Sequence, residues 1–167
     1  MISEVANLPN LRSGFDRVEA SRGGAGVDGV RIADFKRNLD LNLRTLALEL
    51  EQGTYAPLPL LRFLVAKRDG TPRTLTVPTV RDRVAQAAVL NVIGPILEAE
   101  FEDVSFAYRK GRSVRSAALR IRALRDQGYR YIVEFDVDSY FDNVDHQLLF
   151  SKLERIISSK AVLALLK

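Results

Sequence analysis

Apolar side chains recur at helical spacing along most of this chain, and strand-like runs interrupt them at two places. Leu11, Phe15 and Val18 share one face of a helix in the first twenty or so residues. That helix runs into Ser21-Arg22-Gly23-Gly24-Ala25-Gly26, where three glycines in four positions predict a loop. Phe35, Leu39, Leu43, Leu46 and Leu50 predict a second helix over 32–52, with Gly53 as its stop. Leu58 to Val65 is rich in strand formers. Lys67-Arg68-Asp69-Gly70-Thr71 carries an Asp-Gly turn signal, and Arg73 to Val77 is the return strand, closed by Pro78. A long helix is predicted from Arg81 to about Phe101, with Val84, Ala88, Val92 and Ile96 on one side. Gly94-Pro95 inside it should kink or divide it. Ser105 to Tyr108 reads as a short extended piece, and Ser113 as the cap of a helix reaching about Asp126. After Gly128, Tyr131-Ile132-Val133-Glu134-Phe135 reads as a buried strand. Gln147 to Ile157 is helical through Leu148, Leu149, Leu153 and Ile156, and Ala161 to Leu166 starts another helix. This order of helices, hairpin and strand is an α+β arrangement.

The 167 residues, 47% of them apolar, suffice for one domain or a large piece of one. With no cysteine and one histidine, disulfides, thiolate metal sites and His-rich zinc sites are excluded. There is no apolar stretch of membrane-spanning length and no basic-then-apolar leader, so a soluble cytoplasmic protein without a membrane partner is expected. The net charge is only +4, but arginine outnumbers lysine 19 to 6. Arginine grips phosphate in a bidentate geometry that lysine lacks. Between Val104 and Tyr131 stand Arg109, Lys110, Arg112, Arg115, Arg120, Arg122, Arg125 and Arg130 against Asp126 alone. Such an excess suits a polyanionic partner, or else a solvated helix face.

The strongest chemical signal is Glu134-Phe135-Asp136-Val137-Asp138-Ser139-Tyr140-Phe141-Asp142-Asn143-Val144-Asp145-His146. In an extended segment Asp136 and Asp138 point to one side. Tyr140 joins them if that geometry persists, where its ring could pack on a nucleotide sugar and exclude a 2′-hydroxyl. Carboxylates crowded at the end of a buried strand call for a cation, and hard oxygen ligands suit Mg²⁺, with the Val137 carbonyl as a further oxygen. That combination points to phosphoryl or nucleotidyl transfer. Asp142 and Asp145 also read as caps of the next helix, and His146 as a surface residue. In the hairpin, Lys67 and Arg73 flank the turn, where cross-strand placement on one face would cradle a triphosphate. The alternative is ordinary exposed charge. Arg81-Asp82-Arg83 with Gln86 starts a helix and reads either as a cap with charge pairs or as a template contact. Ser105 to Ser113 interleaves Phe106 and Tyr108 with Arg109, Lys110 and Arg112. Its aromatics could stack on bases while the arginines hold phosphates, or Phe106 could be core and Tyr108 half-buried.

These constellations occur in the order found in reverse transcriptases. From about Gly23 onward the chain resembles the fingers and first palm portion of a bacterial reverse transcriptase of the group II intron, retron or CRISPR-associated type. Gly26-Val27-Asp28-Gly29-Val30 is similar to the N-terminal loop motif of the non-retroviral enzymes. Val65 to Leu75 is similar to the fingers hairpin, with Ala66 and Thr74 in place of two prolines. Ser105 to Ser113 is similar to the Ser-Tyr-Gly-Phe-Arg-Pro-Gly-Arg-Ser motif, with Ala107 and Lys110 as departures, and Phe135 to His146 to the first palm motif. The resemblance implies an incomplete right-hand fingers–palm fold: a helical lead at 1–22, fingers with the start of the palm at 23–130, and a partial palm sheet packed on helices at 131–167. It implies Asp136 as catalytic metal ligand, with Val137 contributing its carbonyl. Lys67, Arg73, Asp138, Ser139 and Tyr140 would meet the incoming deoxynucleotide, with Tyr140 as the gate against ribonucleotides. Arg83, Arg109, Arg112 and Arg115 would bind nucleic acid. Mg²⁺ is the implied cofactor. The implied partners are an RNA template, a primer and deoxynucleoside triphosphates, with intron RNA or CRISPR adaptation proteins beyond them.

The sequence contains no Asp-Asp pair, so the second palm motif is absent, as is a thumb. Two-metal nucleotidyl transfer needs carboxylates from both palm motifs. The expectation is therefore a polymerase fragment inactive by itself. The alternative is a non-catalytic RNA-binding or assembly module on the same fold. An incomplete palm should also leave apolar surface uncovered and favour self-association.

Overall fold

The computed structural model of the chain describes residues 1–66, 70–137 and 139–167, with the backbone alone at position 142. In chain order the elements are α1 (Ile2–Val5), α2 (Leu8–Ser21), α3 (Ile32–Arg37), α4 (Leu39–Gln52), β1 (Leu61–Ala66), β2 (Pro72–Val77), α5 (Val80–Glu100), α6 (Val114–Asp126), a 3₁₀ turn at Tyr140–Asp142, α7 (His146–Ile156) and α8 (Lys160–Leu165). They fall into two compact units, Met1–Gly94 with Ile157–Lys167, and Pro95–Ile156.

The first unit is built on the stripes that the sequence displays. Leu11, Phe15 and Val18 of α2, Phe35 of α3, and Leu39, Leu43, Leu46 and Leu50 of α4 are all buried. Val80, Val84, Ala85, Ala88, Val89 and Ile93 of α5 and Val162 and Leu163 of α8, with Val5, Ala6 and Ile157, complete this core. Each large side chain removed from water contributes about 1.5–3 kcal/mol. The rings of Phe15 and Phe35 stack at 5.8 Å between centroids. The single helix predicted over 32–52 is two helices, broken where Asn38 leaves the helical region at φ −119°. The Asn42 side chain donates to the Phe35 carbonyl at 2.8 Å and so satisfies one of the acceptors that the break frees. The stripe crosses the break in phase, which is why periodicity alone reads as one helix.

Gly14 sets how closely α2 and α5 approach. A Cβ there would lie 2.9 Å from the Val84 carbonyl oxygen and 3.3 Å from the Ala88 nitrogen. Beside it, Asn10 donates to the Ala88 carbonyl at 3.0 Å and accepts from Asn91 at 2.9 Å. The hairpin forms as predicted, antiparallel, with Phe63 opposite Leu75, Val65 opposite Arg73 and Ala66 opposite Pro72. β1 begins at Leu61 rather than Leu58, whose N–H is taken instead by the Asp82 carboxylate at 3.2 Å.

α5 keeps Pro95 inside one continuous helix, so the predicted division is not a break in the backbone. The boundary between the compact units nonetheless falls between Gly94 and Pro95. In the second unit, Ser113 caps α6 as predicted: its hydroxyl accepts from Ser116 N at 3.1 Å while the Ser116 hydroxyl accepts from Ser113 N at 2.8 Å. Two expectations fail here. Ser105 to Tyr108 is not extended, because the chain turns at Ala107 and Tyr108. Tyr131 to Phe135 is not a buried strand. Ile132, Val133 and Phe135 are each at least 80% exposed, and the sole ladder among the described residues is β1–β2. A buried strand needs neighbours for its N–H and C=O groups and cover on both faces. This segment has neither among the described residues, so no palm sheet forms there.

Candidate nucleotide and nucleic-acid site

At the base of the hairpin sits a polar network in the first unit. Asp82 is 2% exposed. Its carboxylate accepts from the Tyr55 hydroxyl at 2.7 Å, the Thr79 hydroxyl at 2.7 Å and Leu58 N at 3.2 Å, while its own N–H donates to Thr79 Oγ1 at 3.1 Å. Thr79 thus caps α5, its hydroxyl accepting from Asp82 N while donating to the Asp82 carboxylate. Burial, then the bond to Asp82, pushes the Tyr55 phenol well above its ordinary range, so it remains a donor. Arg81 pairs with Glu49 and lies 5.0 Å over the Tyr55 ring. Of the two readings of Asp82, the structural one holds. The carboxylate is a buried latch between the α5 start and the segment entering β1.

Arg83 is also turned inward. Its guanidinium donates to the Gly24 carbonyl in the glycine loop, and burial lowers its pKa against the opposing effect of Asp28. Arg73 stands exposed on β2. Lys67, its expected companion, lies outside the described residues.

In the second unit the three expected nucleic-acid arginines differ in kind. The Arg109 side chain is 6% exposed, covered by its own loop rather than by a deep core. Its Nε and Nη2 both donate to Glu98 Oε1, at 2.9 and 2.6 Å, and its Nη1 donates to the carbonyls of Glu102 at 2.6 Å and Ser105 at 2.9 Å. The guanidinium lies 5.3 Å over the Phe101 ring. The pairing raises the Arg109 pKa and holds the Glu98 carboxyl below the usual carboxylate range. Arg112 donates to the Asp103 carbonyl at 2.9 Å and lies 5.4 Å over Phe106. Arg115, on α6, is exposed and has no ion pair among the described residues.

Asp136 is exposed rather than closing a buried strand, and its Oδ1 accepts from the adjacent Val137 N at 2.9 Å. Asp138 lies outside the described residues. The extended geometry that would align Tyr140 with Asp136 does not persist. Ser139 turns left-handed at φ 48°, the 3₁₀ turn follows, and the Tyr140 ring meets Phe141 edge-on at 5.3 Å. Asp145 caps α7 as expected, accepting from Leu148 N at 3.0 Å, and His146 is exposed. The capping expected of Asp142 falls on a side chain outside the description. Among the described residues no group of three His, Cys, Asp or Glu side chains could hold a metal ion. One exposed carboxylate, already accepting from its neighbour's amide, does not by itself fit a Mg²⁺ site that needs several oxygens.

Sequence reasoning missed three features here: the burial of Asp82, the enclosure of Arg109 and the turn at Tyr108. The Thr79-x-x-Asp82 spacing carried a signal for the first. The other two depend on contacts within the 98–113 loop that no periodicity records.

Against known proteins, a sequence model of the family "reverse transcriptase (RNA-dependent DNA polymerase)" matches residues 65–166. That is more than half of the chain, which therefore belongs to the reverse transcriptase family. Among its relatives, Protein YkfC of Escherichia coli is 38% identical over 157 residues, covering 90% of this chain and 41% of the relative. Group II intron-encoded protein LtrA of Lactococcus lactis is 34% identical over 130 residues, covering 77% of this chain and 22% of that protein. Nuclear intron maturase 2 of Arabidopsis thaliana is 34% identical over 95 residues, 56% of this chain and 13% of its own length. The chain thus spans less than half the length of these relatives, and of the three bacterial types expected from its motifs the group II intron type is the one a relative's name carries.

Proposed function

We propose that this chain is the fingers and first palm portion of an RNA-directed DNA polymerase that adds deoxynucleotides to a primer 3′ end on an RNA template in the cytoplasm. The observation that carries the reading is that one family match, over 65–166, takes in both the return strand of the hairpin with Arg73 and the segment with Asp136. In this reading residues 1–22 are a helical lead, 23–130 the fingers with the start of the palm, and 131–167 the palm's first part. Lys67 and Arg73 grip the triphosphate, and Asp138 and Ser139 lie beside it. Tyr140 excludes the 2′-hydroxyl. Asp136 and the Val137 carbonyl supply some of the oxygens for Mg²⁺, and the rest of the ligand set lies outside this chain. Intron RNA is the favoured biological partner, because two of the relatives are named as intron-encoded or intron maturase proteins.

The expected outcome of a primer-extension assay has two parts. The 167-residue chain alone gives no template-dependent synthesis. The same residues in a continuous polypeptide with an aromatic-x-Asp-Asp palm segment and a thumb do, and Asp136→Asn removes that activity by at least about a thousandfold, an electrostatic loss of roughly 4 kcal/mol. If the Asp136→Asn polypeptide still extends the primer, the assignment is wrong. Tight RNA binding without synthesis by the complete polypeptide would favour an assembly module instead.

A further inference from the structure

One side chain of the second unit is held in a conformation that its own residue type resists. Tyr108 is fully exposed, at 100%, and its backbone is left-handed at φ 58°. A bulky L-residue there costs of order 1 kcal/mol and persists only when its surroundings impose it. The surroundings do. On one side Arg109 ties Glu98, Glu102 and Ser105 together through four donated hydrogen bonds. On the other side Gly111 turns at φ 77°, Arg112 binds the Asp103 carbonyl, and Ser113 starts α6. The loop is a frame, and the residue it projects is an aromatic ring with no cover. Lys110 and Arg115, two and seven positions further along the chain, stand exposed without ion pairs among the described residues. The stretch around them has a single acidic residue, Asp126, against eight cations from Arg109 to Arg130.

We infer that Tyr108 is a stacking platform for an unpaired base of single-stranded nucleic acid, with Lys110 and Arg115 on the flanking phosphates and with Arg109 and Arg112 as positioning residues that set the ring. The inference rests on the polymerase reading and deepens it. It departs from the expectation drawn from the motif in one respect: Arg109 and Arg112 act through Tyr108 rather than on phosphate, because Arg109 donates four hydrogen bonds within the loop and Arg112 is held by the carbonyl and carboxylate of Asp103. A ring fixed before binding loses little freedom when a base stacks on it, and a duplex offers no free base face, so the ligand is a single strand.

The test is fluorescence anisotropy of the 167-residue chain with a labelled oligouridylate of about 12 nucleotides, across a salt series. Tyr108→Ala should weaken binding about 5- to 150-fold with no change in salt slope, and Tyr108→Phe should stay within about twofold. Arg115→Ala should make the salt slope shallower by about 0.7. Arg109→Lys keeps the charge but breaks the fork. It should weaken binding as Tyr108→Ala does, and the double variant should be no worse than either single one. If Arg109 were only a phosphate contact, Arg109→Lys would bind nearly as the wild type and the positioning role would be overturned. Wild-type affinity in Tyr108→Ala would overturn the stacking inference while leaving the nucleic-acid reading intact. Failure of the wild-type chain to bind the oligonucleotide at any salt would overturn both.

Discussion

Asp82 illustrates how one side chain can matter without touching substrate. Three donors, from Tyr55, Thr79 and Leu58, converge on a carboxylate that is 2% exposed. Removing the acceptor leaves buried donors without partners, at about 1–3 kcal/mol for each left unsatisfied, whereas removing one donor loses a single bond of about 1 kcal/mol. Asp82→Ala should therefore lower the urea-unfolding free energy by about 3 kcal/mol or more, and Tyr55→Phe by about 1 kcal/mol. Equal effects of the two would mean that the network is not centred on the carboxylate. The same logic separates the arginines. Residue type marks Arg83, Arg109, Arg112 and Arg115 alike as phosphate binders, yet three of them donate to the protein's own backbone. A guanidinium satisfies protein carbonyls as readily as phosphates, and only its neighbours decide which.

At the level of elements, α2 and α5 meet where neither has a side chain in the way. In an exposed helix, replacing Gly14 by alanine would gain up to about 1 kcal/mol of propensity. Here the added methyl would sit 2.9 Å from the Val84 carbonyl oxygen, a backbone atom that yields only if a helix moves. Overpacking of this kind costs about 1–3 kcal/mol, so the clash outweighs the propensity. Gly14→Ala should lower the thermal midpoint by several degrees, while Gly94→Ala in α5, where the nearest side-chain atom is Leu90 Cδ1 at 3.9 Å, should not. A stabilised Gly14→Ala variant would show that the helices do not rely on this approach. The hairpin makes the complementary point: strand formers on either side of an Asp-Gly signal made its two strands legible in the sequence, while the register, with Val65 opposite Arg73, came only with the ladder.

For the molecule as a whole, the segment expected as the first palm strand is the largest discrepancy and the source of a prediction. Tyr131, Ile132, Val133 and Phe135 are 95%, 80%, 84% and 86% exposed, and they are consecutive but for Glu134. A contiguous apolar stretch in water drives association. Light scattering on the purified chain should report a dimer or larger species, and the paired change Val133→Asp with Phe135→Lys should return it to a monomer. A clean wild-type monomer at micromolar concentration would refute this. The stripes of α2 and of α3 with α4, by contrast, were read correctly residue by residue, because those helices bury their apolar faces within the first unit. In α5 only Val84 and Ala88 of the expected face are buried, continued by Ala85, Val89 and Ile93 rather than by Val92 and Ile96, and in α7 Leu148 and Leu149 are exposed. Leu50 and Val84 need no partner beyond what the chain supplies. Ile132 and Val133 have the composition of a buried strand but no covering layer among the described residues.

Periodicity, turn chemistry and capping thus settled α2, the stripe of α3 and α4, the hairpin, and the Ser113 and Asp145 caps, because each is a local relation between residues a few positions apart. The order of the motifs settled the family for the same reason, since a motif is itself a local pattern. Tertiary structure alone decided that Asp82 is a buried latch, that Arg109 faces inward, that Tyr108 is thrust outward at a left-handed φ, and that the Tyr131–Phe135 run lies uncovered. Those outcomes depend on which atoms satisfy a polar group or cover an apolar one, and such partners are chosen in space rather than along the chain.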